Sequence, residues 1–554
     1  IMVSVKVPIK VERRSGFTWS HHRGFSQKIG EIIPLAVNEV IPNSKHFMRY
    51  ALAGSMAPLA SDAYMKCYYD VRAFFVPARL LYGGWESWFS DYPYNTLVNG
   101  SGGNIVAQQK ANLPYFQFDY SDTYVFDFVK PCSLADYLGL SIDVSDMVSG
   151  ADQDFMLSAM PFLAYHKICD DWFRQPNIST SCFARPSGYY TQIPGTSDYF
   201  VAAAPFISCV PGAEIISVTS SGSVPSTNCL FADGHSVFET RFANFDYDYF
   251  TNALPSKQLG TAFSVSTSGN SFSIEALRAA NSLQQFAELN QLAGSNEVSV
   301  VRARYGANLA DGVAQRSIYL GGARIDIATK AVDVTVSSSA GYTANPMINA
   351  PGASGGKVMA QGSDIIIDNF TANEPGYIFV LGVVIPKVTY GSGCRRYLRH
   401  YIGGGSIVDM ANPLLQNIGN QPIFQYELNG GLIANSSDEN AVFGYTDRYA
   451  EFMTMEDSVA GLLRAGESLS SFMAQRNFHG ANPQISTNFL QVPATALNNI
   501  AAVSGDVSKY GFFGQAAFDW RVSQPLAQYS LPSLQNPAYE HGKTVMVHRG
   551  GFRF

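Results

Sequence analysis

Only two stretches of this chain carry a sustained helical period, 161–173 and 274–293. Nearly everything else with a clear pattern reads as strand. Val332, Val334 and Val336 alternate with other residues, as do Ile325 and Ile327, which is the period of two of a half-buried strand. The strand candidates are 31–41, 64–76, 324–337, 364–370, 377–390 and 421–428. Between Tyr377 and Ile385 the run is almost continuously apolar, the mark of a strand buried on both faces. Strands in the majority, with helices confined to connections, point to a mainly β sandwich or jelly roll carrying inserted excursions.

At 554 residues the chain is long enough for several domains. No Pro/Ser/Gly linker or charge block divides it, so a single β domain over 1–554 with large insertions fits as well as several domains do. Two regions have the texture of long loops: 91–125, mixing Gly, Asn, Ser and Tyr, and 178–240, with repeated Pro and Gly and a Ser-rich run. Loops of that length are folded excursions with surface roles. Residues 1–30 form a basic arm, with Lys6, Lys10, Arg13, Arg14, Arg23 and Lys28 against Glu12. Val3, Val5, Val7 and Ile9 alternate along it. Such an arm either adds itself to a neighbour's sheet edge or serves as an edge strand of its own subunit.

Charged residues make up 15% of the chain and aromatic residues 13%. A soluble monomer keeps more charge than that on its surface, which implies that identical copies cover part of it. The net charge of −7 excludes a general nucleic-acid binder. The seven cysteines are odd in number and have no CxxC spacing, so they read as scattered, reduced thiols. No secretion signal is evident and no apolar run is long enough to span a bilayer. The expectation is synthesis in a cell interior, without membrane insertion.

Enzyme signatures are missing. Gly355-Gly356-Lys357-Val358 lacks the leading glycine and the hydroxyl of a phosphate loop, and there is no HExxH. His21 and His22 would point to opposite faces of a strand, a poor chelate. Asp170-Asp171, Asp246/Asp248 and Glu456-Asp457 are formal candidates for a glycosidase pair. No cofactor is expected, although calcium bridging acidic clusters at subunit contacts stays open.

The sharpest charge feature is Cys394-Arg395-Arg396-Tyr397-Leu398-Arg399-His400-Tyr401. Arg395, Arg396 and Arg399 interleaved with tyrosines suit phosphate held by guanidinium and unpaired bases stacked on rings. The alternative is pairing with carboxylates across a subunit interface. The tail HRGGFRF (548–554), with Arg549 and Arg553, carries the same ambiguity.

The stretch PFLAYHKICDDWFRQPN (161–177) places Pro161 in the first turn of a helix. Phe162, Tyr165, Ile168 and Trp172 line one face, and Pro176 stops the run. As a string it resembles the helix signature of the major capsid protein of the Microviridae, the small tailless phages with circular single-stranded DNA, and the gokushovirus branch most of all. Five more stretches are similar to that family and fall in the expected order. They are FFVPARLLYGGWESWF (74–89), DYDYFTNALPSKQLG (246–260), IEALRAANSLQQFAELNQLAG (274–294), RARYGANLADGVAQRSIYLGG (302–322) and VFGYTDRYAEF (442–452).

The resemblance implies an eight-stranded antiparallel jelly roll of viral capsid type. It further implies sixty copies in a T=1 shell around a single-stranded DNA genome, located in the virion and made in the bacterial cytoplasm. A small basic DNA-packaging protein and a DNA pilot protein are implied partners. Trp85, Trp88, Tyr165, Trp172 and Phe173 are then candidate interface anchors, or else intrasubunit core. Only about 13 residues separate Gly260 from Ile274, where gokushoviruses place their protrusion. The 178–240 excursion is therefore the candidate outward feature. The runner-up function is a carbohydrate-binding or carbohydrate-cleaving β-sandwich.

Overall fold

A jelly roll is one long two-stranded ribbon wound around a core, so its strands pair by nesting, first with last. The computed structural model shows that pattern. It describes residues 15–56, 66–82, 113–118, 130–141, 155–183, 233–257, 315–333, 354–387, 389–399, 419–434, 441–500 and 511–526, with shorter pieces between them. The main sheet is built from β1 (Ser15–Thr18), β2 (His21–Gln27), β3 (Glu31–Val40), β4 (Ser44–Met56), β5 (Lys66–Pro77), β6 (Arg241–Phe242), β7 (Ile318–Asp333), β8 (Ser354–Ala372), β9 (Gly376–Lys387) and β10 (Phe512–Gln524). They run β1-β10-β4-β8-β7-β5-β9-β3-β6, with β2 also on β10, and every pairing is antiparallel.

β3 pairs with β9, β4 with β8 and β5 with β7. Those are three of the four nested pairs of an eight-stranded roll. The remaining strands of the sheet come from the two ends of the described chain and from residues 241–242. β1 and β2 both lie on β10, so residues 15–27 are an edge of their own subunit. Residues 1–14 lie outside the described residues.

The run from Tyr377 to Ile385 does have both faces covered. Ile378, Val380 and Val384 face the inner core with Leu35, Tyr69 and Trp520. Phe379, Leu381, Val383 and Ile385 face a second cluster with Phe74, Phe116 and Leu163. β4 differs: Met48, Tyr50 and Leu52 are buried, whereas Lys45, Arg49, Ala51 and Ala53 are exposed.

The second cluster exists because three helices fold back over β5, β9 and β3. These are α1 (Trp85–Ser90), α2 (Leu134–Leu138) and α3 (Met160–Trp172). Pro161 sits in the first turn of α3, which ends before Gln175-Pro176. On α2, the Ser133 hydroxyl accepts from the Asp136 N–H and Gly139 closes the helix at φ 108°. A three-stranded sheet of Tyr115–Phe118 with Phe155–Ser158 and Ile215–Val218 completes the cover.

Of the second expected helix, residues 278–279, 281–283 and 285–286 are helical and exposed; the rest of 274–293 lies outside the described residues. So does most of 91–125 and of 178–230. Gly355-Gly356-Lys357 is strand, paired to Val332, Ala331 and Lys330 in β7, and not a phosphate loop.

Candidate functional site

The arginine-rich turn folds inside out relative to its expected role. Arg396–Arg399 is a 3-10 turn, and in that geometry residues three apart eclipse each other. Arg396 and Arg399 therefore share one side and point inward, at 7% and 2% exposure, while Tyr397 (63%) and Leu398 (59%) point out. Arg396 donates to the Pro422 carbonyl at 3.0 Å and lies 3.8 Å from both Glu427 and Glu451. Its guanidinium packs over Phe424, and that of Arg399 over Tyr426; these two rings stack at 5.4 Å. Neither arginine can reach a nucleic acid from there, which corrects that expectation. Arg395 stays partly exposed and donates to the Glu456 carbonyl and to Ser458. Arg549 and Arg553 lie outside the described residues.

Glu427 anchors the arrangement. Its carboxylate accepts from the Phe424 N–H at 2.9 Å and from the Tyr249 hydroxyl at 3.1 Å. Burial pushes its pKa up to about 7, against the opposing pull of Arg396. Glu451 accepts from the Gln421 side chain, whose oxygen takes the Tyr449 N–H. Arg396, Arg399 and Glu427 are thus internal here, along with the Phe424 and Tyr426 rings, while a set of apolar side chains is external. Phe452, Met453, Met455 and Leu462 are all exposed, Met455 at 84%.

Two cavities of about 540 and 460 Å³ open on this surface. They adjoin, sharing Tyr249, Tyr390, Thr454, Met455, Glu456 and Asp457. Asp246, Asp248 and Asp447 line the larger one. Several of the carboxylates that are formal candidates for a glycosidase pair have structural partners. Asp248 caps the Phe250 and Thr251 N–H groups and accepts from Tyr390 at 2.6 Å; Asp246 accepts from Tyr68. Asp170 holds Ser181, Cys182 and Arg174, and Asp171 holds Lys167 and Ser317. Among the described residues, no three His, Cys, Asp or Glu side chains are placed to hold a metal ion.

The expected aromatic anchors divide. Tyr165 is fully buried and cannot anchor a neighbour, which corrects that expectation: its hydroxyl donates to the Ile32 carbonyl at 2.7 Å and accepts from the Arg241 N–H at 2.8 Å. These two bonds tie α3 to β3 and β6. Beside it, buried His166 accepts from Arg241 on Nδ1 and bonds the Val237 carbonyl through Nε2. Burial and the Arg241 charge hold its pKa well below the usual imidazole range. Trp172 and Phe173 are half-buried, capped by the guanidiniums of Arg316 at 4.2 Å and Arg72 at 5.4 Å. Trp85 packs on Trp88 and Phe89, and the latter two are exposed.

Sequence reading missed the Phe452–Met455 surface. The signal was present in the string FMTMED (452–457), where large apolar side chains directly abut acidic ones. No period marked it, because its elements are only three or four residues long.

A family model described as capsid protein (F protein) matches residues 5–534. The chain is 24% identical to capsid protein VP1 of Spiroplasma virus 4, over 92% of this chain and 93% of that protein. It is also 24% identical to capsid protein VP1 of Chlamydia phage 1 (96% and 97% covered) and 22% identical to that of Bdellovibrio phage phiMH2K (95% and 97%). A carbohydrate-active β-sandwich is set aside by these matches. The rolled antiparallel sheet, the buried charges with outward rings, and matches spanning nearly the whole chain converge: this chain belongs to the microvirus capsid protein (F protein) family, a structural family of the virion and not an enzyme.

Proposed function

We propose that sixty copies of this chain, made in the bacterial cytoplasm, close into a T=1 icosahedral shell around a circular single-stranded DNA genome. The observation that carries this reading is the outward apolar surface of Tyr397, Leu398, Phe452, Met453 and Met455 beside internal charge. A monomer gains nothing from that arrangement, whereas contact between copies removes the exposed rings from water. Closed symmetry lets one such surface repeat without leaving an open edge.

A shell protein of net charge −7 cannot neutralise an enclosed genome by itself. This supports a separate small basic DNA-packaging protein, with a DNA pilot protein as a further partner. Genome contact falls to Arg395 and to the tail arginines Arg549 and Arg553, because Arg396 and Arg399 are internal.

Electron microscopy of the expressed full chain tests the assembly, and particle mass tests the copy number. Closed spheres of sixty copies are expected. A chain that stays monomeric at high concentration overturns the proposal.

A further inference from the structure

The joined cavities around Met455 form a groove with two chemical characters. Its floor and ridge are apolar, through Phe452, Met453, Met455 and Tyr390. Its larger cavity is walled by Asp246, Asp248, Asp447, Glu456 and Asp457 with Lys387, and the smaller adds Glu427 and Glu451 against Arg395, Arg396 and Arg464, so carboxylates outnumber cations over the joined lining. Lys387 is itself paired to Asp457 at 2.9 Å. That excess of carboxylates favours an occupant apolar on one side and basic on another.

One segment of this chain has that composition. Val3, Val5, Val7, Ile9 and Val11 alternate through residues 1–14, and Lys6, Lys10, Arg13 and Arg14 outnumber Glu12. In extended form the β-branched residues share one face, and Lys6 and Lys10 share the other. Pro8 has no N–H to donate and suits a strand that pairs on one side at most.

Register decides whose arm it is. Ser15 pairs with Gln524, Ser523 with Lys45 and Lys45 with Thr371, just before β9 begins at Gly376. The groove lies at the other end of β9, beside Pro386 and Lys387, where Lys387 pairs with Lys66. β9 is 12 residues long, or roughly 37 Å at about 3.4 Å per residue. Fourteen extended residues reach roughly 48 Å at most. A subunit's own arm would exhaust most of its reach along the barrel before docking began. A neighbour's arm has no such constraint.

We propose that the Met455 groove receives residues 1–14 of a second copy of this chain, so that successive subunits are linked by an exchanged basic arm. This inference rests on the shell reading. Cross-linking tests it in the assembled full chain: Val7→Cys and Met455→Cys are combined on a Cys132→Ser background, because Cys132 is an exposed native thiol. Mild oxidation is expected to give a ladder of covalent dimers and longer chains on a non-reducing gel. Cross-linking only within one chain, or none in intact particles, overturns the proposal.

A charge exchange supplies the second readout. Lys6→Glu with Lys10→Glu is expected to lower particle yield about tenfold, equivalent to roughly 1.4 kcal/mol, and Asp447→Lys with Asp457→Lys to restore it. Unchanged yield, or normal particles with reduced DNA content, places the arm elsewhere and overturns the inference. If the unaltered chain forms no particles, it is the shell reading that fails.

Discussion

Two regions of the molecule solve the same burial problem in opposite ways. Under α3 the rings go inside: Phe74, Phe116, Phe162, Tyr165 and Phe379 are all buried, and their few polar atoms are matched pairwise. Around the 396–399 turn the arginine charges go inside, onto Glu427 and Glu451, and Tyr397, Leu398, Phe452, Met453 and Met455 are left in water. The first arrangement is complete within one chain. The second leaves apolar area exposed on the single chain. Apolar burial under α3 stabilises the subunit, whereas in the proposed shell the outward surface would be covered by contact between copies.

The contrast is broken most directly by Phe379→Ala. This ring is fully buried against α3, and its loss is expected to destabilise the subunit by about 3–5 kcal/mol, read from urea unfolding. A loss under 1 kcal/mol would mean that the covering layer is loose.

The next effect is a pH dependence in the charged region. Glu427 titrates near 7 in the native state, against 4.5 as its ordinary value. Between those values the native chain holds a proton that the unfolded chain has released. Stability from this group is therefore full below about pH 4.5 and is lost as pH rises through 7, by up to about 3 kcal/mol. Glu427→Gln is expected to flatten that slope in unfolding midpoints measured across the range; an unchanged slope would assign it to another group.

Tyr165→Phe comes third. It removes both bonds that join α3 to β3 and β6 and leaves the Arg241 N–H without its acceptor. A loss of about 1–3 kcal/mol is expected, and calorimetry would show it as a lower melting temperature. Smallest of all is Met455→Ser, expected to change subunit stability by no more than ~0.5 kcal/mol while reducing particle yield. Sedimentation of the same preparation separates the two readouts, and a variant with normal yield would remove Met455 from the contact.

The covered region was largely legible in the sequence, and the outward surface was not. The run from Tyr377 to Ile385 announced double burial because neither of its faces carries a polar series. Pro161 and the spacing of Phe162, Tyr165 and Ile168 marked α3. β4 escaped notice because Ala51 and Ala53 occupy its exposed positions and blur the alternation. The arginine turn misled because adjacency in sequence says nothing about which side of a 3-10 turn a residue takes. Arg395 and Arg396 are neighbours, yet one is partly exposed and the other sealed beneath Phe424.

The nested ribbon also sets a schedule for synthesis. Val40 must wait for its partner Gly376, and Phe17 for Val522. At about 5–20 residues per second, that delay is on the order of tens of seconds. During it the nascent first strands have unsatisfied edges, which are open to pairing with other ribosome-bound copies. Shielding β3 to β5 until the ribosome has passed β9 removes that exposure, whereas a gain in the stability of the finished subunit does not.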